Sequence, residues 1–114
     1  MVWLRLHKTY LFLLLLFCIN IQAQTPEIIW EQGFGGSNDD RAMDIIETPD
    51  GGLLTVGYSN SFDGDIDINY GQRDFLVIKT NTEGEALWKK SYGGNGNDYC
   101  NSVCIANDGG YILI

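Results

Sequence analysis

Five oxygen-bearing side chains crowd one short stretch of this 114-residue chain. Asp63, Asp65, Asp67 and Asn69 alternate with Gly64, Ile66 and Ile68, and Asp74 stands eleven residues after Asp63. Carboxylates at alternating positions suit a hard cation such as Ca²⁺, because a curved loop can turn each of them inward. The match to a helix–loop–helix calcium site is loose. Ile68 stands where that loop needs glycine, Asp74 replaces its longer bidentate glutamate, and the flanking segments read as strands. The competing reading is a solvated acidic loop joining two strands.

Catalytic chemistry finds few carriers. His7 is the only histidine, and it falls in an N-terminal leader, so the rest of the chain has no imidazole base, metal ligand or triad member. Gly-x-Ser-x-Gly and Gly-Lys-Ser/Thr are absent. Gly33-Phe34-Gly35 begins like a dinucleotide fingerprint, but Asn38 holds the third glycine position. Asp39 and Asp40 adjoin, yet nothing around them would raise one carboxyl for acid chemistry. No catalytic residue is expected and no cofactor beyond a possible Ca²⁺. A hydrolase or lyase reading would need catalytic residues downstream of this chain.

These side chains sit on a repeat. Sliding the sequence by 58 residues lays Trp30 on Trp88, Phe34-Gly35-Gly36 on Tyr92-Gly93-Gly94, Asp40 on Asp98, and Asp50-Gly51-Gly52 on Asp108-Gly109-Gly110. The match runs 30 positions without a gap, from Glu27/Glu85 to Val56/Ile114. Eight of them are identical: Glu27, Trp30, Gly35, Gly36, Asp40, Asp50, Gly51 and Gly52. Recurrence argues that Trp30 and Trp88 pack between units rather than stack on sugars. It also argues that the recurring aspartates accept backbone N–H bonds beside glycine turns.

Each unit reads as four short strands: 42–48, 53–58, 74–80 and 85–90. The apolar runs are short, rich in strand-forming residues and bounded by turn residues, and no 3.6-residue stripe follows Ala23. Asp50-Gly51, Asp108-Gly109 and Asn81-Thr82-Glu83-Gly84 supply the turns. Residues 27–32 read as a lone fourth strand of a preceding unit. A repeated four-stranded unit of this length predicts an all-β, β-propeller-like array of antiparallel blades. The expected organisation is a helical signal peptide at 1–23, the lone strand and turn at 24–36, a full repeat at 37–94, and the first two strands of a second repeat at 95–114. About one and a half units are present, so the chain reads as a fragment whose sheets lean on missing downstream repeats of the same protein.

Arg5, His7 and Lys8, the uncharged run 10–19 and the small residue Ala23 follow the order of a secretory signal peptide. That run is shorter than the roughly 20 residues a bilayer span takes. Export to the cell surface or medium, or at minimum the periplasm, is expected. Residues 24–114 carry five basic and fifteen acidic side chains, a formal charge of −10. Such a surface repels phosphate backbones and anionic headgroups, so nucleic acid and, after signal cleavage, membrane are excluded as partners. An unknown protein or glycan is the expected partner. Cys100 and Cys104 stand four apart, about 13 Å along a strand, too far to bridge. They read as small buried hydrophobes on one strand face.

Taken together, the motifs form a recognisable series. Trp-x-x-x-[Phe/Tyr]-Gly-Gly is followed four residues on by Asp. Next come Asp-Gly-Gly before an apolar strand, Gly57-Tyr58-Ser59-Asn60-Ser61, Asp63-Gly64-Asp65, Asp74-Phe75-Leu76-Val77-Ile78-Lys79, and Glu83-Gly84 before the next Trp. The series resembles bacterial exported propeller-type repeats, found in secreted or cell-surface proteins that often carry a C-terminal type IX secretion sorting domain. The resemblance covers nearly all of the chain after residue 23. It implies a propeller-like fold, an extracellular destination and no defined catalytic activity, hence a structural or binding module. A Ca²⁺-stabilised adhesion protein is the third reading, carried by the acidic loop.

Overall fold

Phe75-Leu76-Val77-Ile78 has no polar side to offer water, and it occupies a strand covered on both faces. The computed structural model describes residues 24–114; the signal-peptide reading of 1–23 lies outside them. The described residues are all-β. Strands β1 (Asp40–Glu47), β2 (Leu53–Ser59), β3 (Asp74–Thr80) and β4 (Ala86–Tyr92) form one antiparallel sheet in the order β1-β2-β3-β4. Strands β5 (Val103–Ile105) and β6 (Tyr111–Leu113) form a separate hairpin. The four expected strands are all present, with ends shifted by up to two residues.

The two central strands hold the core. Leu54, Val56 and Val77 point to one face and are at most 3 % exposed. There they meet Cys100 and Val103 of the second repeat, with Ile46, Phe75, Tyr111 and Leu113 around them. Leu76 and Ile78 point to the other face and pack against Ile66 and Phe34. Full burial of each such side chain stabilises by about 1.5–3 kcal/mol. The sheet is therefore flanked on one side by the following copy and on the other by the segment that precedes β1.

All three hairpin turns share one form. Gly51 donates to Thr48 O at 2.8 Å, Gly109 to Ala106 O at 3.0 Å and Gly84 to Asn81 O at 3.3 Å. Only the closing glycine has positive φ, at 81°, 85° and 84° respectively, and among the described residues no non-glycine residue does. Each is thus a type I turn followed by a left-handed glycine, rather than a two-residue turn with positive φ at both centres. Two bulges break the ladder. Met43 is extra between Ala42 and Asp44, and Leu87 is extra between Ala86 and Trp88.

Residues 27–32 form no strand. In the full unit the tryptophan strand β4 is held by β3, and among the described residues no strand pairs with 27–32. Backbone without a partner strand has no ladder to join. The segment lies instead against the first repeat, where the Trp30 ring covers Gly84; a Cβ there would come 2.6 Å from Trp30 Cε3.

The cysteines also divide. Cys100 lies ahead of β5 and is fully buried, whereas Cys104 is exposed, and both are free thiols. Val103 points into the core, so alternation along β5 turns Cys104 outward, and the two thiols do not share a buried face.

Candidate functional site

The acidic loop between β2 and β3 curls around the Gly35-Gly36 pair. Asp65 N–H donates to Gly35 O at 2.9 Å, and Gly35 N–H donates to Asp65 Oδ2 at 3.2 Å. Ser37 N–H donates to Asp63 Oδ1 at 2.7 Å. Gly36 fits because it lacks a side chain: a Cβ would lie 2.5 Å from both Asp63 O and Ser61 Cβ. Asp40 completes the clasp, accepting Gly36 N–H at 2.7 Å and the Ser61 hydroxyl at 2.9 Å through Oδ2.

The five expected cation ligands take separate tasks. Asp63 and Asp65 hold the glycine pair, and Asp65 Oδ1 also accepts from Lys89 Nζ at 2.8 Å. Asp67 is exposed. Asn69 donates to Ser59 O at 3.2 Å and accepts Gly71 N–H at 2.9 Å. Asp74 is buried at 1 % exposure and accepts Tyr70 N–H through Oδ2, while its Oδ1 has no partner. Among the described residues no three His, Cys, Asp or Glu side chains converge as a metal would need. Backbone N–H groups and a lysine occupy carboxylate oxygens that the spacing alone offered to Ca²⁺.

Three carboxylates are held in their ionised form by these contacts. The Lys89 ammonium, and after it the Gly35 N–H, hold Asp65 below its usual carboxylate range. Asp50 is lowered to about 2 by the Thr48 hydroxyl first, then by Lys79 and Gly52 N–H. Asp44 is lowered by the Val103 N–H, then by Ser102 and Ile45. All three stay ionised at neutral pH, which suits them as acceptors rather than acids.

One cluster escaped the sequence reading. Tyr58 and Tyr99 meet edge to face with centroids 5.0 Å apart, and the Arg73 guanidinium lies 5.3 Å and 5.8 Å from their ring centres. Arg73 donates to Tyr99 OH at 2.9 Å and to Asp39 Oδ2 at 3.4 Å, and Arg41 Nε reaches Asp39 Oδ1 at 3.1 Å. The group ties the second copy to the first at the rim that carries the acidic loop. Its members are scattered along the chain, and no spacing rule would have joined them.

The repeated motifs make repeated bonds. Gly94 N–H donates to Asp98 Oδ2 at 2.9 Å, as Gly36 does to Asp40. Gly110 N–H donates to Asp108 Oδ1 at 3.0 Å, as Gly52 does to Asp50 at 3.1 Å. On the sheet face opposite β5–β6, a cleft of about 280 Å³ opens beneath Trp30 and Phe34, floored by Ile45, Leu53, Leu76 and Ile78. No protein-family model matches the chain, and no curated protein or solved structure matches it.

Proposed function

We propose that this chain is a non-catalytic structural and binding module, part of an exported β-propeller-like protein whose four-stranded units stack face to face. One observation carries the reading. The full sheet has the second copy on the Leu54–Val56–Val77 face and the Trp30–Phe34 segment, which belongs to the preceding unit of the repeat, on the Leu76–Ile78 face. Neighbours in the repeat are thus neighbours in space, as in stacked blades. The partner is a protein or glycan met at the rim that carries residues 60–74. Phe62, Ile68 and Tyr70 are more than half exposed there, and the −10 charge after residue 23 disfavours polyanions. The recurring aspartates accept backbone N–H groups beside the glycine turns, a structural task shared by both copies. The resemblance to exported repeats, with residues 1–23 as signal peptide, assigns it to the cell surface or medium.

Tandem arrays of residues 37–94 test the stacking. With one, two, three and four copies, the midpoint of denaturant unfolding should climb with each added copy, because each adds an interface. A midpoint independent of copy number would defeat the reading. For export, the released product should begin at Gln24 on N-terminal sequencing.

A further inference from the structure

We propose that the cleft between the acidic loop and β4 is a binding site for a neutral sugar, the terminal hexose of a glycan. The assignment rests on the reading of this chain as a binding module that meets its partner at the rim, and it names that partner's chemistry. The cleft measures about 330 Å³, within the roughly 300–1,000 Å³ of small-ligand pockets. Asp67, Ile68 and Tyr70 form one wall, and Lys90, Ser91 and Tyr92 form the other. Leu76, opposite Ser91 in the ladder and packed on Ile66, joins them. Burial of Ile66 seats the loop on the sheet, and the Lys89–Asp65 contact at 2.8 Å ties it to β4. The two walls are therefore held in place before any ligand arrives.

A hexose has an apolar C–H face and a belt of hydroxyls that both donate and accept. It needs an aromatic or aliphatic surface ringed by acceptors and donors. The cleft offers both. Ile68, Tyr70 and Tyr92 are 54 %, 52 % and 48 % exposed. The exposed Asp67 carboxylate enters none of the ion pairs among the described residues. Lys90 is also outside them, with its ammonium 5.8 Å from the Trp88 ring centre. Asp65 balances Lys89 and Asp67 balances Lys90, so the lining is neutral in a chain that carries −10 after residue 23. An uncharged ligand meets no repulsion there.

The repeat separates scaffold from site. The offset of 58 keeps Trp30 at Trp88, but it sets Glu31, Gln32, Gly33 and Phe34 against Lys89, Lys90, Ser91 and Tyr92. The ammonium groups and hydroxyls of the β4 wall are thus not what building a unit demands. A peptide strand is the less suitable occupant. β4 is the outer strand of its sheet. Its bulge at Leu87 and the adjacent Lys89 and Lys90 are the devices by which edge strands resist strand addition.

The test titrates the full chain with neutral oligosaccharides of glucose, mannose and galactose, each to millimolar concentration, and follows backbone amide and tyrosine ring resonances. At least one sugar should shift the signals of Asp67, Tyr70 and Ser91 saturably. Asp67→Ala and Tyr70→Ala should each weaken that binding by about tenfold. Tyr92→Phe, which writes in the counterpart residue Phe34, should weaken it several-fold. Phe62→Ala, at an exposed aromatic of the same rim that does not line the cleft, should change nothing. All four positions are exposed, so the variants keep the fold, which their unshifted spectra away from the loop verify. Each of these results would overturn the proposal: no saturable shift with any of the sugars, binding unchanged by Asp67→Ala and Tyr70→Ala together, shifts confined to Phe62 and its neighbours, or tighter binding of an extended Thr-Val repeat peptide at the β4 amides. The copy-number series separates the failures. A midpoint that climbs with copies while no sugar binds sinks the glycan site alone, and a flat midpoint sinks the stacked module beneath it.

Discussion

Lys79 Nζ stands 3.0 Å from Asp50 Oδ1, with the lysine side chain only 5 % exposed and the aspartate 59 % exposed. The ammonium leaves bulk water because two acceptors meet it, the Asp50 carboxylate and Thr80 O at 2.8 Å. Burying an ammonium is tolerable only when it is so paired. The first β-turn and β3 are thereby joined through one acid–base contact.

That contact should show in acid. The folded Asp50 titrates at about 2, against an ordinary value of 3.8. A carboxyl lowered by folding stabilises above its unfolded value and loses that contribution as pH falls through its folded one. The contribution should be whole at pH 5 and above, and should fade between about pH 4 and pH 2. Asp50→Asn should lower the urea midpoint at pH 7, and the gap to the unaltered protein should close near pH 2. A gap that is constant across that range would contradict the linkage.

Glycine requirements should separate sharply by position. A Cβ on Gly57 would lie 1.8 Å from Arg41 O on the neighbouring strand, whereas one on Gly94 meets nothing within 4 Å. Gly57→Ala should cost about 1–3 kcal/mol or more, because β1 must move away from β2. Gly94→Ala should stay within about 0.5 kcal/mol. Chemical denaturation of the two variants side by side checks the contrast.

Thiol labelling should distinguish the two described cysteines. Burial pushes the Cys100 thiol up, and its side chain is sealed in the Leu54–Val56–Val77 cluster. Cys104 is open to solvent. Alkylation followed by peptide mass analysis should find Cys104 modified at least about tenfold faster, with Cys100 reacting only as the core opens. Equal rates would mean that the second copy does not rest on the first.

Millimolar Ca²⁺ should give no binding heat with the acidic loop folded, since Asp63 and Asp65 already accept Ser37 and Gly35 N–H groups. Replacing Asp63, Asp65 and Asp67 together with asparagine should instead speed amide exchange at Gly35 and Ser37. A calorimetric isotherm abolished by the triple substitution would instead support the cation reading.

The amino-acid order was enough to reveal β structure, the 58-residue period and three of the turns, because each is a local signal. Apolar runs such as 75–78, bounded by Asp, Asn and Gly, can satisfy burial and turning only as short strands. Recurrence of Gly-Gly with Asp four residues later marked a clasp whose bond both copies make. Contacts between distant residues lay beyond such reading. Alternating carboxylates look the same whether they face a cation or a glycine backbone; only folding brought Gly35 to Asp65 and Lys89 with it. Residues 27–32 carry a strand pattern, but a strand exists only when another completes its hydrogen bonds, and tertiary structure left that segment without one. The pairing of Arg73 with Tyr58, Tyr99 and Asp39 likewise depends on where two copies meet, a matter of packing geometry that residue types do not encode.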